Sequence, residues 1–202
     1  VRVIAGEKGG RRLLAPPGRG TRPTSDRVRE AAFSMLESQG VLPGARVWDL
    51  FAGSGALGIE ALSRGAACAT FVDQARGAVS ATKANLAKLG YGADRATVVC
   101  ADVLKWVHGL EGGPPHSSGE GEKVNLVLAD PPYAWESWPA LLAGLAPHEP
   151  LVLIETAQGP ELPPGWDVVK SRRYGSTLVT LACLRQRSAT PGEGGSHDGG
   201  EI

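Results

Sequence analysis

The stretch Asp49-Leu50-Phe51-Ala52-Gly53-Ser54-Gly55-Ala56-Leu57-Gly58 decides how this chain folds. Residues 46–51 read as an extended apolar run, and residues 56–64 as a helix. Gly53 and Gly55 allow the positive φ angles that a tight turn between two such elements requires. A glycine-rich turn leading from a strand into a helix is where open α/β sheets bind their ligands.

Working outward, the alternation continues. Extended runs fall at 68–73, 96–100, 124–129 and 150–155, and helical patterns at 75–89, 102–108 and within 136–146. Repeated alternation of this kind predicts a parallel twisted sheet covered by helices on both faces. Residues 166–173 and 176–184, joined by Tyr174-Gly175, read as a closing antiparallel hairpin. On the N-terminal side, residues 1–5 and 11–15 flank a glycine-rich turn and form a smaller hairpin. A helix is expected over 26–38, with Val28, Ala31, Ala32, Met35 and Leu36 on its apolar face. The expected organisation is a basic N-terminal extension at 1–25, a catalytic domain at 26–184 and a disordered tail at 185–202. Residues 111–123, rich in Gly, Pro and Ser, read as a mobile loop.

With 202 residues, 42% of them hydrophobic, the chain can bury one complete core. No window approaches the length of a membrane span, and the first residues lack the apolar region of a secretory signal, so a cytoplasmic enzyme is expected. Cys68, Cys100 and Cys183 read as buried free thiols. The four histidines have no ligand spacing, and no metal site is expected. The net charge of zero is unevenly distributed: the first 30 residues hold eight cationic side chains and three acidic ones. Five more positive than negative charges, mostly arginine, suit phosphate contacts, although a solvated basic face has the same composition.

Gly53, Gly55 and Gly58 match G-x-G-x-x-G, with Asp73 twenty residues beyond Gly53, so a nicotinamide dinucleotide is one candidate ligand. Asp49 argues against it. A carboxylate just ahead of the glycines would repel a pyrophosphate and attract the ammonium and sulfonium of S-adenosylmethionine. Asp73 suits ribose hydroxyls and Asp102 an adenine amino group, yet each also reads as a helix-capping acid.

Asp130-Pro131-Pro132-Tyr133, after the 124–129 run, supplies acceptors and a stacking surface for a base. The Asp130 side chain and Pro131 carbonyl would hold the hydrogens of an exocyclic amino group, and Tyr133 would stack, at roughly 1–3 kcal/mol. A bland turn that ends a strand with prolines is the alternative.

These motifs, with Arg2-Val3-Ile4-Ala5-Gly6, Gly10-Arg11, Thr21-Arg22-Pro23-Thr24, Arg27-Val28-Arg29-Glu30-Ala31-Ala32-Phe33 and Tyr174-Gly175-Ser176-Thr177, resemble the RsmD family of class I S-adenosylmethionine-dependent methyltransferases over residues 1–184. The resemblance implies a Rossmann-like, seven-stranded, mostly parallel sheet. It also implies methylation of guanine N2 in 16S ribosomal RNA, within partly or fully assembled small subunits. It assigns Asp49, Phe51, Ala52, Gly53, Ser54, Gly55, Asp73, Gln74, Asp102 and Val103 to the cofactor, and Asp130, Pro131, Pro132 and Tyr133 to the target base. RNA contacts would come from Arg11, Arg22, Thr24, Arg27 and Arg29, with Arg173 and Tyr174 added from the terminal hairpin; Arg22 and Thr24 could instead close over the cofactor. The same catalytic tetrapeptide serves adenine N6 methyltransferases of DNA or RNA. From other classes, a nicotinamide oxidoreductase and a noncatalytic RNA-binding protein remain as alternatives.

Overall fold

The computed structural model of the chain describes residues 1–16, 25–110, 123–132 and 134–185. Arg22, Thr24, Tyr133, nearly all of the 111–123 loop and the tail beyond Arg185 lie outside the described residues.

Seven strands form one sheet: β1 (Arg46–Leu50), β2 (Cys68–Asp73), β3 (Ala96–Cys100), β4 (Leu126–Ala129), β5 (Leu151–Thr156), β6 (Trp166–Tyr174) and β7 (Thr177–Leu184). Their order is β3-β2-β1-β4-β5-β7-β6, parallel through β5, with β7 antiparallel to both β5 and β6. The helices are α1 (Asp26–Glu37), α2 (Ala56–Ser63), α3 (Arg76–Leu89), α4 (Val103–Val107) and α5 (Trp138–Leu145).

Alternation along the strands divides the core into two layers, because successive side chains point to opposite faces. Val47, Phe71, Leu126, Leu128 and Leu153 join side chains of α1, α2 and α3 on one face. Trp48, Leu50, Val72, Val127, Ala129 and Ile154 join α4 and α5 on the other. Both strand faces are buried, which is why the strands read as continuous apolar runs rather than alternating ones.

The N-terminal hairpin is less regular than the sequence suggests. It has one antiparallel bridge, Arg2 with Arg12, reinforced by backbone bonds between Val3 and both Gly10 and Arg11. What holds it is the domain beneath. The buried Glu60 carboxylate of α2 accepts from the Ile4 and Ala5 N–H groups at 2.7 and 3.0 Å, and Ser63 Oγ accepts from Lys8 N–H at 2.9 Å.

Three expectations need correction. Arg185 belongs to the fold rather than the tail: its guanidinium makes a two-pronged pair with Asp167 at 2.9 and 2.7 Å, fixing the end of β7 to β6. The thiols are free but none is fully buried. Cys100 is exposed at the end of β3, one of the sheet's two edge strands. In α1, Phe33 rather than Ala31 completes the buried face.

Candidate active site

Strand order reverses between β1 and β4: the chain winds outward through β2 and β3 on one side and through β5 on the other. A crevice opens at such a point, outside the carboxyl ends of the strands. Asp49 is the penultimate residue of β1, Asp73 the last of β2, and Asp130 follows the last of β4. Register aligns Leu50 with Val72 and with Ala129, so Asp73 and Asp130 flank the residue that follows β1.

Asp49 is 1% exposed and accepts from the Gly58 N–H at 2.8 Å, within the first turn of α2. Burial drives its carboxyl well above the usual carboxylate range. The Gly58 bond opposes that rise, and the nearby Asp130 and Asp73 charges add to it. Acids held this close to one another favour a cationic ligand. This donor set suits S-adenosylmethionine.

The glycines have separate duties. Gly55 begins α2 at φ +76°, and a Cβ there would meet Thr82 at 2.9 Å. Gly58 is ordinary helix, but its Cβ would strike the Phe71 ring and sit 3.0 Å from Asp49 Cβ. Gly58 thus lets α2 approach β1 and β2 closely enough for its N–H to reach Asp49. Phe51 adopts φ +62°, strain that a phenylalanine rarely bears. Such residues concentrate at functional sites. Phe51 through Ser54 are partly exposed along the crevice.

Asp73 holds this turn. One carboxylate oxygen accepts from Gly53 N–H at 2.9 Å and the other from Ala75 N–H at 2.8 Å. Each oxygen can accept a second bond, so hydroxyls on a ligand would still find an acceptor. Gln74 is exposed beside it. Asp102 caps α4, accepting from Lys105 N–H at 3.0 Å, so the capping reading holds for that residue. Val103 is buried in the core; only its backbone, in the first turn of α4, is suited to a ligand contact.

Beyond β4, Asp130 is partly exposed, Pro131 buried and Pro132 exposed. The Pro132 carbonyl accepts from Trp135 N–H at 2.9 Å, whereas no described residue donates to the Pro131 carbonyl. The Trp135 ring meets Phe51 edge-on at 5.1 Å and Trp138 at 4.8 Å. The segment after β4 is thereby braced against the glycine turn. A cleft of about 780 Å³ lies elsewhere, among Ala5, Gly6, Glu37, Arg64, Ala66 and Arg95. It flanks the entry to β2, at the opposite end of the sheet from these acids.

The expected RNA contacts divide. Arg11 and Arg27 are exposed. Arg29 is not a surface cation: it is 1% exposed and donates to Asp26 at 3.0 Å and to the Arg2 carbonyl. Burial lowers its affinity for the proton, while Glu60, Asp26 and Glu155 act in the opposite sense. It binds α1 to the hairpin from within. Arg173 is exposed but donates to the Ala157 carbonyl at 2.9 Å, and Tyr174 packs partly against the core.

Four residues escaped the sequence reading: Glu60, Thr82, Asn85 and Trp135. Buried polar side chains in α2 and α3 have the composition of ordinary helix positions. Only their lack of company on an otherwise apolar face marks them.

The Conserved hypothetical protein 95 family model matches residues 1–183. The chain is 35% identical over 189 residues to ribosomal RNA small subunit methyltransferase D of Escherichia coli, covering 90% of this chain and 88% of the relative. Among solved structures, the Escherichia coli protein yhhF superposes with a TM-score of 0.74 at 32% identity, covering 93% of this chain and 99% of that one. A hypothetical protein of Thermus thermophilus does so with 0.70 at 31% identity, covering 90% and 98%.

Proposed function

Because the chain belongs to the Conserved hypothetical protein 95 family, the RsmD family of ribosomal RNA methyltransferases, we propose that it methylates the exocyclic N2 amino group of one guanine in 16S ribosomal RNA, using S-adenosylmethionine. The observation that carries this reading is the arrangement of Asp49, Asp73 and Asp130 around the switch point, beside a glycine turn and ahead of Pro131.

S-adenosylmethionine supplies a methyl group already activated on a sulfonium. Asp49 and its neighbouring acids provide the negative field that holds a cation, and Asp73 offers acceptors to ribose hydroxyls. The first turn of α4 and the Asp102 carboxylate would border the adenine. The amino nitrogen of a base is a poor nucleophile because its lone pair is delocalised into the ring. Asp130 and the Pro131 carbonyl, accepting the two amino hydrogens, favour a tetrahedral nitrogen and aim its lone pair at the methyl group. Proline at 131 has no N–H to compete for those acceptors. The further gain comes from alignment of nitrogen and methyl in one site. Tyr133 would stack on the base, and Arg11, Arg22 and Arg27 would contact phosphates. The protein works in the cytoplasm on partly or fully assembled small subunits.

The test incubates the protein with labelled S-adenosylmethionine and small subunits lacking native methylation, followed by nuclease digestion and mass spectrometry. Label on guanine N2 is expected. Label on adenine N6 overturns the choice of base, and absence of label from RNA and DNA overturns the proposed activity.

A further inference from the structure

One edge of α3 carries Thr82, Asn85 and Lys88 at three-residue spacing, and each binds backbone carbonyls far away in sequence. Thr82 Oγ donates to the Gly53 carbonyl at 3.0 Å. Lys88 Nζ donates to the Arg12 carbonyl at 2.8 Å. Asn85, between them and fully buried, uses its whole amide. Its Oδ1 accepts from the Leu14 N–H at 2.7 Å, and its Nδ2 donates to the carbonyls of Leu14 and Ser54, both at 2.9 Å.

One side chain thus grips the N-terminal arm as a neighbouring strand would, and grips the cofactor turn with the same NH2 group. Peptide planarity gives the second grip its consequence. The Ser54 carbonyl shares a plane with the Gly55 N–H, which closes the turn by donating to the Ala52 carbonyl at 2.7 Å. The Gly53 carbonyl held by Thr82 shares a plane with the Ser54 N–H. Asn85 and Thr82 therefore set the tilt of two successive peptides lining the crevice.

The arm at the other end of the bracket carries Arg11 and Arg12, both exposed, three and two residues before Leu14. A shift of Leu14 away from Asn85 would strand buried donors and acceptors, so arm and turn move together or not at all.

We propose that Asn85 is a positioning residue that couples RNA docking on the N-terminal arm to the geometry of the cofactor turn, so that RNA and cofactor strengthen each other's binding. This rests on the reading of the chain as an RNA methyltransferase with its arm on the RNA. The strengthening is reciprocal by thermodynamic necessity.

The test measures equilibrium binding of sinefungin, a cationic cofactor analogue with no methyl to transfer, with and without small subunits lacking native methylation. The full-length protein is expected to bind the analogue at least about 5-fold more tightly when subunits are present. Asn85→Ala is expected to bring that ratio close to one, whatever its effect on the subunits' affinity for cofactor-free protein. Asn85→Asp, which keeps the acceptor for Leu14 and loses both donors, should do the same. A purely structural staple would lower the melting temperature and leave the ratio intact, and an unchanged ratio overturns the proposal. A ratio near one in the unmodified protein overturns it as well. Should neither variant fold, hydrogen exchange on the unmodified protein decides. Amides 53–55 must gain protection on subunit binding without cofactor, and no gain overturns the proposal. Failure of the activity reading is distinct, since the unmodified protein would then label no RNA; labelled RNA with an unchanged ratio condemns the coupling alone.

Discussion

Replacing Asp49 by Asn separates the charge at the heart of the crevice from its shape. The amide oxygen can still accept the Gly58 N–H that Asp49 accepts at 2.8 Å, so α2 keeps its place. What is lost is the negative charge proposed to face the cofactor's cationic groups. A unit charge pair at an effective dielectric constant of about 20 carries about 3–4 kcal/mol at contact distances. Part of this returns, because the variant no longer crowds three carboxylates together and no longer buries a charge. A net loss of about 1.4–2.8 kcal/mol remains, or roughly 10- to 100-fold in cofactor affinity.

Stability should move the other way, with a defined pH dependence. Burial and then the Asp130 and Asp73 charges hold the Asp49 carboxyl well above its ordinary range, against the Gly58 bond. A group whose pKa is raised by folding favours the folded state at low pH, and that contribution disappears as pH rises through the raised value. Asn cannot ionise. The melting temperature of Asp49→Asn relative to the parent should therefore be flat below the ordinary carboxylate range, climb as pH rises from there toward the raised value, and level off once the parent's Asp49 has lost its proton. Calorimetry in buffers of different ionisation enthalpy should find proton release on cofactor binding in the parent and none from this residue in the variant. Undiminished cofactor affinity in Asp49→Asn, or a variant less stable than the parent at alkaline pH, would refute the reasoning.

Three further outcomes are expected. Asp130→Ala should abolish methyl transfer while leaving cofactor binding within a few-fold of the parent; equal loss of both, by activity assay and calorimetry, would move Asp130 into cofactor binding or folding. Gly58→Ala drives a methyl into the Phe71 ring and against Asp49 Cβ at 3.0 Å. Overpacking of about 1–3 kcal/mol, partly offset by about 1 kcal/mol of helix propensity, should lower stability on denaturant titration and weaken cofactor binding by loosening the Asp49 bond. Arg29→Met should cost about 2–4 kcal/mol, since a buried side chain joining α1 to the hairpin is lost, whereas Arg27→Ala should stay within about 0.5 kcal/mol. If Arg27 touches a phosphate, the salt dependence of RNA binding should lose about one unit of slope in Arg27→Ala.

The stretches proposed to carry the chemistry were legible because each has a local physical signature. Gly53 and Gly55 sit between an apolar run and a helical one, and the acids stand at the ends of the runs. Pro131 and Pro132 stop a strand. Arg29 was misjudged for a related reason: charge composition counts cations without regard to direction, and helical spacing from Val28 and Ala32 does not show that a guanidinium turns inward to Asp26 and the Arg2 carbonyl. Asp102 shows an ambiguity that only coordinates resolve, for an acid after a strand and an acid before a helix can be the same residue.

By itself, then, the sequence determined the alternation of strands and helices, the glycine turn and the acids available around it, because these follow from hydrophobic period and backbone sterics within a few residues. The tertiary structure alone decided that β4 lies beside β1, bringing Asp130 within the field of Asp49 across about eighty residues of chain. It alone decided that Glu60 and Asn85 tie the N-terminal arm to α2, α3 and the glycine turn. Both depend on contacts between segments remote in sequence, and the hydrogen-bonding need of a buried polar group gives no hint, along the chain, of which distant backbone will satisfy it.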